Sequence, residues 1–166
     1  MSVIASKRKE SKLEAIIYAK ELHNMLIDFM LRDFGVKNLE HMVQLRYAYG
    51  KDETENYSKY SYLMINYKKR IDKLTNSLVN NVRAANALYP TSMHEYEIRR
   101  DYQNVAIANC EQLMNELQLI VETFDVDVNL YSRYTKAINR EIGLIKSWRQ
   151  HDNKFKAQFL KNGDIC

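Results

Sequence analysis

The chain has 166 residues, of which 46% are apolar and 28% charged, and its formal net charge is +4. That length suits one domain with a real core. Four Gly and one Pro are too few for a fold of strands and turns, and no apolar run approaches the ~20 residues of a membrane span.

The expectation is a soluble, all-α protein spanning 1–166 as a single domain. No basic start leads into a continuous apolar stretch, so neither a secretory nor a transit peptide is expected, and the cytoplasm follows by default. Cys110 lies inside a helical stripe and Cys166 is the last residue, which is neither a disulfide framework nor a metal-ligand spacing. Both are expected to be reduced.

In chain order, residues 1–10 are polar and basic, with Lys7, Arg8 and Lys9 in a row, and Ser11 with Glu14 three residues on forms a capping-box pattern. A first helix is expected over about 11–34, with Leu13, Ile16, Ile17, Met25, Phe29 and Met30 on its apolar face. Gly35 suits the left-handed residue after its end. Residues 36–57 are the least regular part. Leu39, Met42, Val43 and Tyr47 permit one short helix before the polar run 50–56, and a connection this long is unusual in a bundle.

A second helix is expected over about 58–88. Its stripe Tyr60, Met64, Tyr67, Ile71, Leu74, Leu78, Asn81, Ala85, Leu88 alternates fours and threes without a slip, as in coiled-coil packing. Asn81 is the polar member of that seam, either a register-setting core amide or a ligand. Pro90 ends the helix, and Thr91 or Ser92 can cap a third over about 93–124. Within it, Tyr102, Ala106, Asn109 and Leu113 share one stripe, while Ala106, Ala108 and Cys110 leave room for close neighbours. Residues 125–127 turn into a fourth helix over about 128–160, whose apolar positions include Val128, Tyr131, Ile138, Ile142, Ile145, Trp148 and Phe155. Amphipathic helices about 35–50 Å long, joined mostly by short links, should pack as an antiparallel up-down-up-down four-helix bundle with one irregular excursion between the first two.

Charge is unevenly shared among these segments. Residues 58–90 sum to +5, 91–125 to −5 and 126–166 to +4. Lys69, Lys73 and Arg83 share a face of the second helix with Asn76 and Asn80. Arg133, Lys136 and Arg140 form one stripe of the fourth, and Lys146, Arg149 and Lys156 form another with Asn153. Arg99 and Arg100 stand in the first turn of the stretch 96–113, where the helix macrodipole does not favour a cation. Their partner is either a nearby acid, Glu95, Glu97 or Asp101, or a phosphate or an acidic subunit. The basic stripes admit two readings. They pair on the surface with the acidic third helix, each pair contributing about 0–1 kcal/mol, or they neutralise the phosphates of RNA or DNA. The twelve tyrosines make base stacking possible, although Tyr60, Tyr67, Tyr102 and Tyr131 fall on core stripes.

Motifs of catalysis are missing. None of His23, His41, His94 and His151 has a Glu three residues before it, as a di-iron bundle requires. In His94-Glu95-Tyr96-Glu97-Ile98 an Ile stands where a zinc protease needs its second His. With no glycine-rich phosphate loop and no nucleophile elbow, the expectation is a non-enzymatic protein with no catalytic residue, metal or cofactor.

Four segments carry a resemblance: 1–8, Asn81-Val82-Arg83-Ala84-Ala85-Asn86-Ala87-Leu88-Tyr89-Pro90, Tyr96-Glu97-Ile98-Arg99-Arg100-Asp101-Tyr102-Gln103, and Ile145-Lys146-Ser147-Trp148. Together they resemble the small bundle proteins that include the accessory variability determinant of diversity-generating retroelements, and the proteins encoded by intervening sequences of 23S ribosomal RNA genes. The resemblance implies a basic bundle that assembles into a ring-like homo-oligomer, commonly a pentamer, and binds nucleic acid and the retroelement's reverse transcriptase. Arg83, Arg99 and Arg100 match recurring positions of that pattern, which implies that they matter to fold or assembly. Residues 36–57 depart from it as an insertion.

Overall fold

The computed structural model describes residues 3–36, 53–124 and 126–163, with side chains from 14–36, 61–124 and 126–163. Among the described residues, four long helices run over Val3–Leu31 (α1), Glu53–Ala87 (α2), Met93–Thr123 (α3) and Val128–Lys161 (α4), and a 3-10 turn spans Asp33–Gly35. Each helix packs against its neighbours in sequence, most extensively α2 on α3, and α1 closes the ring onto α4. The direction of packing is read from cross-helix bonds. Arg70 meets Glu116, Ser77 meets Asn109 and Leu88 meets Arg99, so α3 descends as α2 ascends. This is an antiparallel all-α four-helix bundle.

Helix ends follow local chemistry. The Ser92 side chain caps α3 by accepting from the Glu95 amide at 3.3 Å, and the Glu95 carboxylate in turn accepts from the Thr91 amide at 2.7 Å and hydroxyl at 2.6 Å. Those two donors hold the Glu95 carboxyl below its ordinary range. The Asp127 side chain caps α4 through the Asn129 amide at 3.0 Å. At its start, α1 departs from expectation. It begins at Val3 and runs through Ser11, because Lys, Arg and Glu are good helix formers and override a capping pattern placed among them. Likewise α2 begins at Glu53, so residues 53–57 are helical, whereas the short helix expected around Leu39, Met42, Val43 and Tyr47 lies outside the described residues.

The core frame of α1 also differs. Ala15, Ala19, Leu22, Leu26 and Phe29 are buried at a four-three repeat, while Ile17 is 48% exposed. Extended towards the N-terminus, the register of Phe29, Leu26 and Leu22 lands on Ala19 and Ala15 and leaves Ile17 outside. In α3, Ala106, Asn109 and Leu113 are buried as their spacing predicts, but Tyr102 is 38% exposed and Gln103 takes the inward place. Asn81 is partly buried and donates to the Ser77 carbonyl at 2.8 Å one turn back, so its amide is satisfied within α2. On α4, Val128 is exposed while the other apolar positions named above are buried.

One end of the bundle is aromatic. Phe29 stacks on Tyr134 with centroids 3.9 Å apart, and meets Tyr131 and Phe34 edge-on. Phe34 reaches this cluster because the chain after α1 takes three consecutive left-handed residues, Asp33, Phe34 and Gly35. Tyr131 donates to the Phe34 carbonyl at 2.8 Å, and Lys68 of α2 pairs with Asp33. Burial of the Phe34 ring offsets a backbone conformation that a bulky residue adopts only at a cost. Gly35, with φ of +72°, also leaves only 3.0 Å between a would-be Cβ and Leu130 Cδ1. Gly35→Ala should therefore destabilise the fold by about 1–2 kcal/mol, read as a lower thermal midpoint. An unchanged midpoint would show that this reversal tolerates a side chain.

Candidate nucleic-acid interface

Inward positions of α4 run Tyr131, Tyr134, Ile138, Glu141, Ile145, Trp148, Asp152, Phe155 and Phe159. At ~100° per residue, that frame turns Lys136, Lys146 and Lys154 outward, with Arg133 and Arg140 towards α1 and Lys156 at the far end; all six are exposed. Arg140 donates to Glu14 at 3.1 Å and lies over the Tyr18 ring at 4.4 Å, and the Glu14 bond raises its already high pKa. The others have no ion pair among the described residues. Lys154 is a member of this strip that the stripes read from sequence passed over, although it stands two helical turns beyond Lys146.

On α2, Lys69, Lys73 and Arg83 are exposed, and Lys73 borders a shallow groove with Leu74, Gln112 and Asn115. The two basic strips do not form one surface. Because α1 and α3 separate α2 from α4, their outward faces occupy opposite corners of the bundle. Between them α3 presents Glu97, Asp101, Glu111 and Glu122 to solvent. Only Arg70–Glu116, at 2.8 Å, ties the basic second helix to this acidic one by a surface ion pair among the described residues.

Three of the expected contact residues behave differently from the rest. Arg99 is buried, so it is withdrawn from any surface. It donates to both carboxylate oxygens of Asp152, Nε at 2.7 Å and Nη2 at 3.0 Å, while Nη1 donates to the Leu88 carbonyl at 2.7 Å. Gln103 donates to the same carboxylate at 2.8 Å, and the Trp148 ring lies 5.1 Å from the guanidinium. The partner is thus an acid on α4 rather than Glu95, Glu97, Asp101 or a phosphate. Arg100 is partly buried and donates to the Tyr96 hydroxyl at 2.8 Å and to Asn153 Oδ1 at 3.0 Å. Arg149 is likewise half-buried and donates to Asn104 Oδ1 at 2.7 Å. Both rivet α3 to α4 and have fewer donors left for a ligand. Around them Tyr96, Phe155 and Phe159 form a hydrophobic cluster of their own, apart from the main core.

A second buried acid lies nearer the middle of α4. Glu141 is fully buried, and neither carboxylate oxygen has a hydrogen-bond partner among the described residues. Burial pushes its pKa up to about 8, against a smaller opposing pull from Arg140. The Cys110 thiol of α3 is raised too, first by burial and then by the nearby Glu141 charge, so it is inert as a nucleophile at neutral pH. Sequence reading passed over Glu141, Asp152 and Gln103. Their only signal was that polar residues stand at inward positions of otherwise apolar stripes.

Among the described residues no three His, Cys, Asp or Glu side chains gather as metal ligands would, and no helix is long and apolar enough to cross a membrane. No family model, characterised protein or solved structure matches the chain.

Proposed function

We propose that this chain is a non-enzymatic bundle protein that binds RNA or DNA along α4, as an accessory to a reverse transcriptase or a similar nucleic-acid machine. The observation that carries the reading is the α4 strip. Its exposed cations from Arg133 to Lys161 extend over about 40 Å of helix and are almost free of acidic partners among the described residues. Clustered cations repel one another, and a run of phosphates relieves that repulsion while releasing counterions. The role beside a reverse transcriptase rests on the motif likeness to retroelement accessory proteins.

Changing Lys136, Lys146 and Lys154 together to Glu should abolish binding of a labelled RNA or DNA at moderate salt in fluorescence anisotropy. Where residual binding is measurable, the log-log salt slope should fall by about 3, one per lost phosphate contact. The matching change of Lys69, Lys73 and Arg83 tests whether the opposite corner contributes. Binding that survives the α4 changes undiminished would overturn the reading.

One observation favours a second reading. The exposed acids of α3, Glu97, Asp101, Glu111 and Glu122, have no ion pair among the described residues and are complementary to the basic face of α2. Head-to-tail use of unlike surfaces closes a ring where the rotation permits. That is a homo-oligomer without a nucleic-acid role, and the resemblance would make it a pentamer. Oligomer mass falling steeply with added salt, with no nucleic acid bound, would favour it.

A further inference from the structure

The turn between α2 and α3 holds an aromatic ring in the open. Tyr89 is 68% exposed, yet the residues on both sides of it are fixed. The Leu88 carbonyl accepts from buried Arg99 at 2.7 Å, and Pro90 is buried. The ring itself stands edge-on to Phe155 of α4, with centroids 5.4 Å apart and planes at 83°. Lys154 Nζ lies 4.9 Å from the centroid of that same Phe155. The α2–α3 turn and the C-terminal half of α4 therefore meet in one corner, aromatic and basic, at the end of the cationic strip.

Rigidity separates this ring from an ordinary surface tyrosine. Its backbone is anchored through the Leu88 carbonyl and buried Pro90, and its ring packs against Phe155 in a T-shaped pair while most of it stays open. Less freedom therefore remains to be lost when a flat ligand covers it. A flat, π-faced ligand beside an ammonium matches a nucleobase with its phosphate. In a duplex both faces of a base are already covered by stacking, so only an unpaired base or a strand end can offer a face.

We propose that Tyr89 is a stacking platform for an unpaired base, with Lys154 taking the adjoining phosphate, so that the nucleic acid is single-stranded where it reaches this corner. The inference rests on the nucleic-acid reading above and adds the form of the ligand.

The test uses the full chain with single-stranded RNA and DNA carrying 2-aminopurine, and with a matched duplex. The native protein should prefer the single strands and quench 2-aminopurine at one position of the bound strand, by stacking. Tyr89→Ala should lose roughly tenfold in single-strand affinity, lose the quenching, and keep the salt slope. Tyr89→Phe should retain both, whereas Tyr89→Leu, which keeps apolar bulk against Phe155 but has no π face, should behave as the Ala variant. Should Tyr89→Ala and Tyr89→Leu bind single strands as the native protein does, while the triple change on α4 abolishes binding, the platform is refuted and the nucleic-acid reading stands. Failure of the native protein to bind any of these probes at low salt overturns both.

Discussion

Asp152→Ala should destabilise the fold by about 3–5 kcal/mol, among the largest losses available to a single substitution in this chain. The carboxylate receives two bonds from Arg99 and one from Gln103, all in a site closed to water. Its removal leaves a buried guanidinium with the Leu88 carbonyl as its one hydrogen-bond acceptor among the described residues. Desolvation of that charge, rather than the lost attraction, dominates the cost. Urea unfolding at neutral pH measures it. The double change Arg99→Met with Asp152→Leu removes both charges and should recover most of the loss, since a buried ion pair contributes little beyond an apolar pair of similar size. A loss under ~1 kcal/mol in the single variant would mean that water reaches the pair and that the α3–α4 seam is looser than its geometry implies.

The second large effect is set by pH. Glu141 has a pKa raised from the ordinary 4.5 to about 8 in the folded chain. Its carboxyl is neutral inside the bundle at pH 7 but ionised once the chain unfolds. The stability associated with it is fully present below pH 4.5, declines as pH rises, and is lost above about 8, where both states are ionised. At pH 7 the accumulated loss is about 3 kcal/mol, at ~1.4 kcal/mol per unit. Glu141→Gln, close in volume and unable to ionise, should flatten this part of the profile. Urea midpoints of native and variant protein from pH 5 to 9 should diverge progressively towards pH 8 and run parallel beyond it. Curves that stay parallel throughout would show that the carboxyl finds a partner or water.

Much of the fold was legible because it is written locally. The four-three alternation of α2 names its buried positions Met64, Tyr67, Ile71, Leu78 and Ala85 with no knowledge of neighbours. Pro90 and Ser92 mark the break between α2 and α3, and these signals act within one turn of chain. The frame of α1 was legible only in part: Phe29 is buried and Ile16, Met25 and Met30 pack against the core, but Ile17 faces solvent while Ala15 and Ala19 turn inward. Ile17 outranks Ala15 and Ala19 on any hydrophobic scale, and what places the alanines inside is the four-three register that α1 shares with buried Leu22, Leu26 and Phe29.

The candidate site divides in the same way. That α4 is cationic and α3 acidic follows from counting charges along each helix. Which of those charges meets solvent does not follow. Arg99 and Arg83 look equivalent in sequence, yet one is sealed against Asp152, fifty-three residues away, and the other is exposed. Tyr102 and Tyr89 are likewise placed by contacts between helices rather than by spacing along one. Tyr102 leaves the core because Gln103 is needed inside to serve Asp152, and Tyr89 gains a seat because Phe155 arrives from α4.

By itself the sequence determined that the chain forms long amphipathic helices, where several of them end, and which carry each sign of charge. These are properties of spacing at 3.6 residues per turn and of turn chemistry, felt within a few residues. Tertiary structure alone decided that the basic strips stand at opposite corners, that Arg99 and Asp152 neutralise one another in the interior, and that Glu141 is buried there without a hydrogen-bond partner among the described residues. Those outcomes depend on the register of one helix against another, and register is set by packing summed over the whole interface between segments far apart in the chain.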